Sequence, residues 1–270
     1  SESALGFSME QSYSNTFQMA ANNNITVIAA SGDRGAYNGG SSLAVNFPAA
    51  SPYVTSIGGT SLYLRNGAYY QNAWGGGSGS KSFGSGGGFS SVFLTPAWQD
   101  PYGYNNPMRG VPDVSMDANT QTGVVVYDQN VNYTVGGTSI GTPIWAGIVA
   151  ILDQVEGKNL GFINPLLYQI SRTNYYGKAL QSVYPGTNGY YTTSNGWNPV
   201  TGLGTPNMGW LVRAVSSLTG SNGYETIFSP PKNMAQFNVS TYLNISSAKM
   251  TPLNGSVYNF LSLQYTPGYG

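Results

Sequence analysis

Ile25-Thr26-Val27-Ile28-Ala29-Ala30-Ser31-Gly32-Asp33-Arg34-Gly35 decides the fold. A short run of apolar and β-branched residues reads as a buried strand, and Ser-Gly-Asp-Arg-Gly closes it as a turn. Upstream, Met9, Tyr13, Phe17 and Ala20 recur at helical spacing until Asn22-Asn23-Asn24 stops the pattern. A helix leading into a buried strand and a glycine turn is half of a parallel α/β unit. Working outward, Val54–Ile57 reads as a second buried strand, closed by Gly58-Gly59. Asp113–Met116 and Val124–Tyr127 are further strands. Helices are predicted through Ile144–Val155 and over Asn164–Ser171 and Met208–Ser217. Past Gly220 the character changes: Pro230-Pro231 marks a linker and Phe237–Ile245 alternates loosely, as β structure does. The expected organisation is a parallel sheet flanked by helices over residues 1–220, then a β-rich extension over 221–270.

The helix through Ile144–Val155 is entered through Gly136-Gly137-Thr138-Ser139-Ile140-Gly141-Thr142-Pro143. Ser139 therefore falls at a helix N-terminus, where free N–H groups and the helix dipole favour negative charge. That suits a nucleophilic hydroxyl and a developing oxyanion. A serine needs a base to take its proton, and the usual base is histidine. This chain has no histidine. Either a carboxylate takes the proton, or the serine merely belongs to a Gly/Ser/Thr helix-entry turn.

Only 7% of the 270 residues are charged, where about a quarter is usual. Ten basic residues balance ten acidic ones, so no field of either sign points to nucleic acid or to an anionic membrane. Ser, Thr, Asn, Gly and 21 Tyr supply the polarity. Such a surface suits strong acid, because below about pH 3.5 most carboxylates are neutral and a cation-rich chain would repel itself. A Gly/Asn/Ser-rich secreted β protein at any pH has a similar composition. Cysteine is absent, which excludes disulfides and thiolate chemistry. Sequons at Asn24, Asn132, Asn238, Asn244 and Asn254 fit an extracellular or cell-surface glycoprotein. No apolar run is long enough to span a bilayer. The Gly/Ser-rich stretch over 75–88 is no P-loop, since Ser80 rather than Gly precedes Lys81. A backbone edge that pairs with an extended ligand is the sharper reading of it.

Several segments together resemble the sedolisin family, the serine-carboxyl peptidases, which have a subtilisin-like fold and act in acid. They are Ser31–Ala36, Ser85-Gly86-Gly87-Gly88-Phe89-Ser90, Pro112-Asp113-Val114-Ser115, Gly136–Ser139 through Pro143–Gly147, and Gly196–Asn207. They lie in the family's order and cover residues 1–218. The resemblance implies Ser139 as nucleophile and Asp33 as the group that stabilises the oxyanion. A carboxyl that carries a proton in acid can donate that hydrogen bond. The resemblance also implies that Ser85, Gly86, Gly87 and Gly88 bind substrate backbone, and that the substrates are proteins or peptides.

Two features depart from the family's pattern. Its general base is a Glu partnered by an Asp four residues later, a spacing that puts both carboxyls on one helix face. Here Glu2 is followed at that spacing by Gly6, and Glu10 by Ser14. The chain also opens in mid-pattern at Ser1. The expectation is a processed or truncated product, whose base lies on an upstream chain of the same precursor, so that these residues alone are inactive. The family's calcium loop uses two Asp carboxylates plus backbone carbonyls. By motif position the loop falls at Ser182, Val183, Gly196 and Asn198, with Ser182 and Asn198 in place of the acids. Calcium prefers anionic oxygen, so a hydrogen-bonded remnant with at most a weak ion is expected, and no other cofactor. Asp113 and Asp117 read as structural acids.

Two other function classes fit parts of the sequence. A non-catalytic, glycosylated surface or filament protein retaining the fold would explain the missing acids. A carbohydrate-binding β protein would explain the Tyr, Trp and Asn content, but the Ser139 helix and the parallel strands argue against it.

Overall fold

The computed structural model describes residues 1–75, 83–99 and 106–221, with two short strands beyond, Leu243–Asn244 and Gln264–Tyr265. Its elements in chain order begin with α1 (Glu2–Leu5), α2 (Phe7–Asn22), β1 (Ile28–Ala30) and β2 (Thr55–Arg65). Next come β3 (Ala68–Ala73), β4 (Gly88–Leu94), β5 (Met108–Val111) and β6 (Val114–Asp117). The hairpin β7 (Val124–Asp128) and β8 (Val131–Val135) precedes α3 (Thr138–Glu156) and α4 (Asn164–Ile170). The pair β9 (Leu180–Gln181) and β10 (Thr205–Pro206) then leads to α5 (Met208–Thr219).

Strand β2 is the hub. β1 runs parallel to it, Ile28 beside Thr55 and Ala30 beside Ile57, and β6 is parallel with Val114 beside Ile57. β3 folds back antiparallel along its far half, Thr60 opposite Ala73. The sheet is thus mixed, with helices covering it, and the architecture is a subtilisin-like α/β fold. The core gathers where α3 lies on the sheet. Trp145, Ile148, Val149, Leu152 and Val155 repeat at i, i+3, i+4, i+7 and i+10 and bury against Ile57, Val114, Tyr168, Leu203 and Leu211. Each such aliphatic side chain contributes about 1.5–3 kcal/mol by leaving water.

Three elements depart from the sequence reading, each for a packing reason. Gly58-Gly59 does not close β2, which runs on to Arg65. A Cβ at Gly58 would stand 2.5 Å from Pro112 Cγ and 2.7 Å from Ser115 Oγ. At Gly59 it would stand 2.8 Å from both Ala118 Cβ and Trp74 Cε3. These glycines admit close neighbours inside a strand rather than ending it. Strand β7 has a partner, β8, that the sequence pattern did not announce. The two-residue connection has Gln129 and Asn130 both at positive φ, the hairpin geometry usually signalled by glycine. Helix α2 forms as its spacing predicts, but much of its apolar stripe faces out. Met9 and Tyr13 are about half exposed, while the buried positions are Glu10 and Ser14. Among the described residues no helix is long and apolar enough to cross a membrane. The expected linker and β-rich extension over 221–270 lie almost wholly outside the described residues.

Candidate active site

Asp33 lies three residues beyond the end of β1, in the turn that carries the chain away from the sheet. Ser139 is the second residue of α3. The entry to α3 joins them across more than a hundred residues of sequence. Thr138 N and Thr138 Oγ1 both donate to Asp33 Oδ1, at 2.7 and 2.9 Å. Thr138 Oγ1 in turn accepts from Gly32 N at 3.0 Å. One carboxylate oxygen is thereby anchored and the other is left free to face the helix end.

What Oδ2 faces is read from Gly137, whose φ of +95° suits glycine. A Cβ there would stand 2.8 Å from Asp33 Oδ2 and 3.2 Å from Ser139 Oγ. The two oxygens therefore flank one small gap that only the missing side chain keeps open. Ser139 is exposed and Asp33 half-buried, so the gap is reached from solvent. No described residue accepts a hydrogen bond from Ser139 Oγ. Among the described residues the hydroxyl has a helix N-terminus and a carboxyl beside it, and no other base.

The Ser85–Gly88 stretch is buried throughout. Ser85 Oγ accepts from Gly59 N at 2.9 Å and donates to Val200 O at 2.6 Å. Gly86 N donates to Gly32 O, and Gly84 N to Asp33 O. A Cβ at Gly86 would stand 2.3 Å from Ser31 O, so glycine alone allows this approach. In this structure the stretch braces the turn that presents Asp33, and the amide of Gly86 is spent inside the molecule.

Asp113 is wholly buried and saturated. Its Oδ2 accepts from Arg109 Nη2 at 2.6 Å, Ser56 N at 2.8 Å and Asn164 Nδ2 at 3.1 Å, and its Oδ1 from Tyr168 Oη at 2.9 Å. Burial and the neighbouring Asp113 charge push the Tyr168 hydroxyl well above its usual value. Asp117 is raised by burial, which outweighs its bonds from Thr122 and the backbone. Both acids hold structure, as the sequence suggested.

Sequence reasoning missed two features. Thr138 carries no signal apart from sitting beside Ser139 in a helix-entry turn. Glu10 is fully buried, and neither of its oxygens has a hydrogen-bond partner among the described residues. Burial, helped by the charge of Glu2, raises its pKa to about 7. The signal for it was only a charged residue inside an amphipathic helix.

The loop through Ser182, Val183, Gly196 and Asn198 was the expected calcium position. It presents a hydroxyl and an amide where a hard dication wants carboxylates. The described residues contain no cluster of three metal-ligating side chains. These donors do not fit calcium. Of the sequon asparagines, Asn24 and Asn132 are exposed. Asn244 falls in a two-residue strand, and Asn238 and Asn254 lie outside the described residues.

The subtilase family model matches residues 3–166. Kumamolisin of Bacillus sp. (strain MN-32) is 37% identical over 206 residues, covering 70% of this chain and 36% of its own length. Sedolisin of Pseudomonas sp. (strain 101) is 34% identical over 224 residues, covering 77% of this chain and 37% of its own. Tripeptidyl-peptidase 1 of Rattus norvegicus is 34% identical over 233 residues, 74% of this chain and 38% of that protein. The chain thus spans somewhat over a third of the length of these relatives. Among solved structures, Pseudomonas sedolisin, a serine-carboxyl proteinase complexed with two molecules of pseudo-iodotyrostatin, superposes with a TM-score of 0.72. That match has 32% identity and covers 80% of this chain and 61% of the other. The chain belongs to the subtilase family, and within that family it is similar to the sedolisins.

Proposed function

We propose that this chain carries the nucleophile half of an acid-acting serine-carboxyl endopeptidase, with Ser139 as nucleophile and Asp33 at the oxyanion. The observation that carries the reading is the gap at Gly137, flanked by Asp33 Oδ2 and Ser139 Oγ. Ser139 Oγ attacks the scissile carbonyl carbon and its proton passes to a base. The carbonyl oxygen becomes an oxyanion, which the Asp33 carboxyl, protonated in acid, stabilises by donating a hydrogen bond. Oδ1 is occupied by Thr138, so the proton sits on Oδ2, on the side of Ser139. The dipole of α3 adds to the same field.

The base is a carboxylate outside the described residues, on an upstream segment of the same precursor. Two surfaces support such a partner. Met9 and Tyr13, one turn apart, leave part of the apolar stripe of α2 exposed, and Phe7 and Met19 are exposed elsewhere on the same helix. Beside β1, the side of α3 carrying Pro143, Ala146 and Ala150 opens a groove of about 440 Å³ lined by Ile25 and Ile28. Relatives more than twice as long leave ample chain to cover both. Glu10 supports action in acid, because its burial costs least when it is protonated. The exposed sequons Asn24 and Asn132 support an extracellular or cell-surface place.

The test is peptide hydrolysis at acid pH by residues 1–220 alone and by the same residues joined to the upstream segment. The joined protein cleaves, the isolated chain does not, and Ser139→Ala abolishes cleavage, by on the order of 10⁴-fold or more. Full activity in Ser139→Ala would remove Ser139 from the mechanism, and a joined protein that cleaves nothing would return the chain to the non-catalytic surface-protein reading.

A further inference from the structure

Three backbone carbonyls in the loop between Ser182 and Thr201, those of Val183, Ser194 and Gly196, are turned toward the side chains of Ser182, Asn198 and Thr201. Ser194 O lies 3.2 Å from Asn198 Nδ2 and 3.4 Å from Ser182 Oγ. Gly196 O lies 3.4 Å from the same amide nitrogen and 3.5 Å from the same hydroxyl. Val183 O receives Thr201 Oγ1 at 3.3 Å. Two side chains thus converge on one pair of carbonyls, and a third serves the carbonyl next to Ser182. Asn198 and Thr201 are fully inaccessible, while Ser182 and Gly196 are half-buried and Ser194 lies at the surface.

The orientation of the Asn198 amide follows from its other end. Asn198 Oδ1 accepts from Val200 N at 3.0 Å and Thr201 N at 2.9 Å, closing a tight turn. Reversed, the amide would set N–H against N–H on one side and oxygen against two carbonyls on the other. An aspartate here would keep the turn with one oxygen. Ionised, its second oxygen would point at Ser194 O and Gly196 O, a meeting of three oxygens that a cation makes favourable and that only a proton on the carboxyl would otherwise relieve.

We propose that this loop is a metal-free replacement for a calcium site, in which the hydrogens of Asn198, Ser182 and Thr201 hold the carbonyls that an ion would otherwise gather. The loop keeps its shape without calcium, and with it the placement of Trp197, whose Nε1 donates to Pro112 O at 2.9 Å. The same turn stays tied to the sheet through Leu203 N, which donates to Asp113 O at 2.8 Å. This role does not rest on the peptidase reading, and its test reads folding rather than cleavage.

Thermal unfolding of the purified chain is followed near neutral pH, where an introduced aspartate is ionised and EGTA chelates, in EGTA and in millimolar calcium chloride, with metal analysis after dialysis. The wild-type chain unfolds at the same temperature in both and retains no calcium. Asn198→Asp unfolds roughly 5 °C lower in EGTA, because a buried carboxylate oxygen now opposes two carbonyls, and calcium restores the loss. Ser182→Asp combined with Asn198→Asp enlarges the calcium response. A wild-type chain that retains one calcium and loses stability in EGTA overturns the proposal, whether or not the variants fold. So does an Asn198→Asp chain that folds as well as wild type and ignores calcium.

Discussion

Asp33 and Asp113 are both aspartates flanking parallel strands of one sheet, one just after β1 and one just before β6. Asp113 is sealed in, and its two oxygens take four hydrogen bonds, one of them from the buried Arg109. Asp33 has one oxygen fixed by Thr138 and the other turned to the gap beside Ser139. A carboxylate whose every lone pair is met inside the protein fastens elements together and has nothing left to offer a ligand. A carboxylate held at one oxygen and open at the other is oriented without being used up, which is what a site for a developing charge requires.

The strongest way to break this contrast is to exchange the consequences of losing each acid. Asp113→Ala leaves Arg109 buried without its partner, at about 3–5 kcal/mol, and is expected to lower the unfolding midpoint more than any other substitution here. Urea unfolding of the purified chain checks it, and a loss under 1 kcal/mol, the range of a surface ion pair, would show that the network is not a fastener. Asp33→Asn should do the reverse. In the joined enzyme kcat falls on the order of 10²–10³-fold, the effect of losing one oxyanion donor, while the unfolding midpoint stays where it was. Steady-state kinetics beside a melting curve separates the two, and equal kcat in the variant would remove Asp33 from the mechanism.

A smaller change sharpens the comparison at the anchor itself. Thr138→Val keeps the backbone donor but removes the hydroxyl that serves both Asp33 Oδ1 and Gly32 N. We expect a loss of about 1–2 kcal/mol in stability and a fall in kcat of roughly tenfold, with KM little changed. Thr138→Ser should recover most of both.

An effect that shows only at one end of the pH scale belongs to Glu10, a buried acid with neither a fastener's partners nor an open cleft. Its folded pKa of about 7 lies above the unfolded value of 4.5, so the folded chain binds the extra proton between those limits. Stability from this group is therefore fully present below pH 4.5 and is lost as pH rises through 7. Glu10→Gln should melt above wild type at pH 8 and together with it at pH 4. Parallel melting curves at both pH values would show that Glu10 is solvated and takes no part in acid tolerance.

Much of the frame was legible along the chain. The apolar run ending at Ala30, its partner ending at Ile57 and the stripe from Trp145 to Val155 announce β1, the first half of β2 and the core face of α3. Strand and helix periods are local properties of neighbouring residues. Less legible was whatever depended on a remote neighbour. Gly58-Gly59 looks like a stop until Pro112, Ser115, Trp74 and Ala118 are seen pressing on it. The Ser85–Gly88 stretch looks like an open edge until Gly86 is found against Ser31 and Gly32. Glu10 gave no sign that its helix turns it inward.

The sequence by itself determined that a serine opens a long helix, that no histidine attends it, and that two aspartates stand at the ends of buried strands. Only the tertiary structure shows why it is Asp33, as the resemblance implied, that lies beside the serine. Both acids sit in short turns beside a strand, and that local chemistry does not separate them. The choice is made by tertiary contacts, when α3 lays Thr138 against Asp33, 105 residues away, and Arg109, Asn164 and Tyr168 close over Asp113.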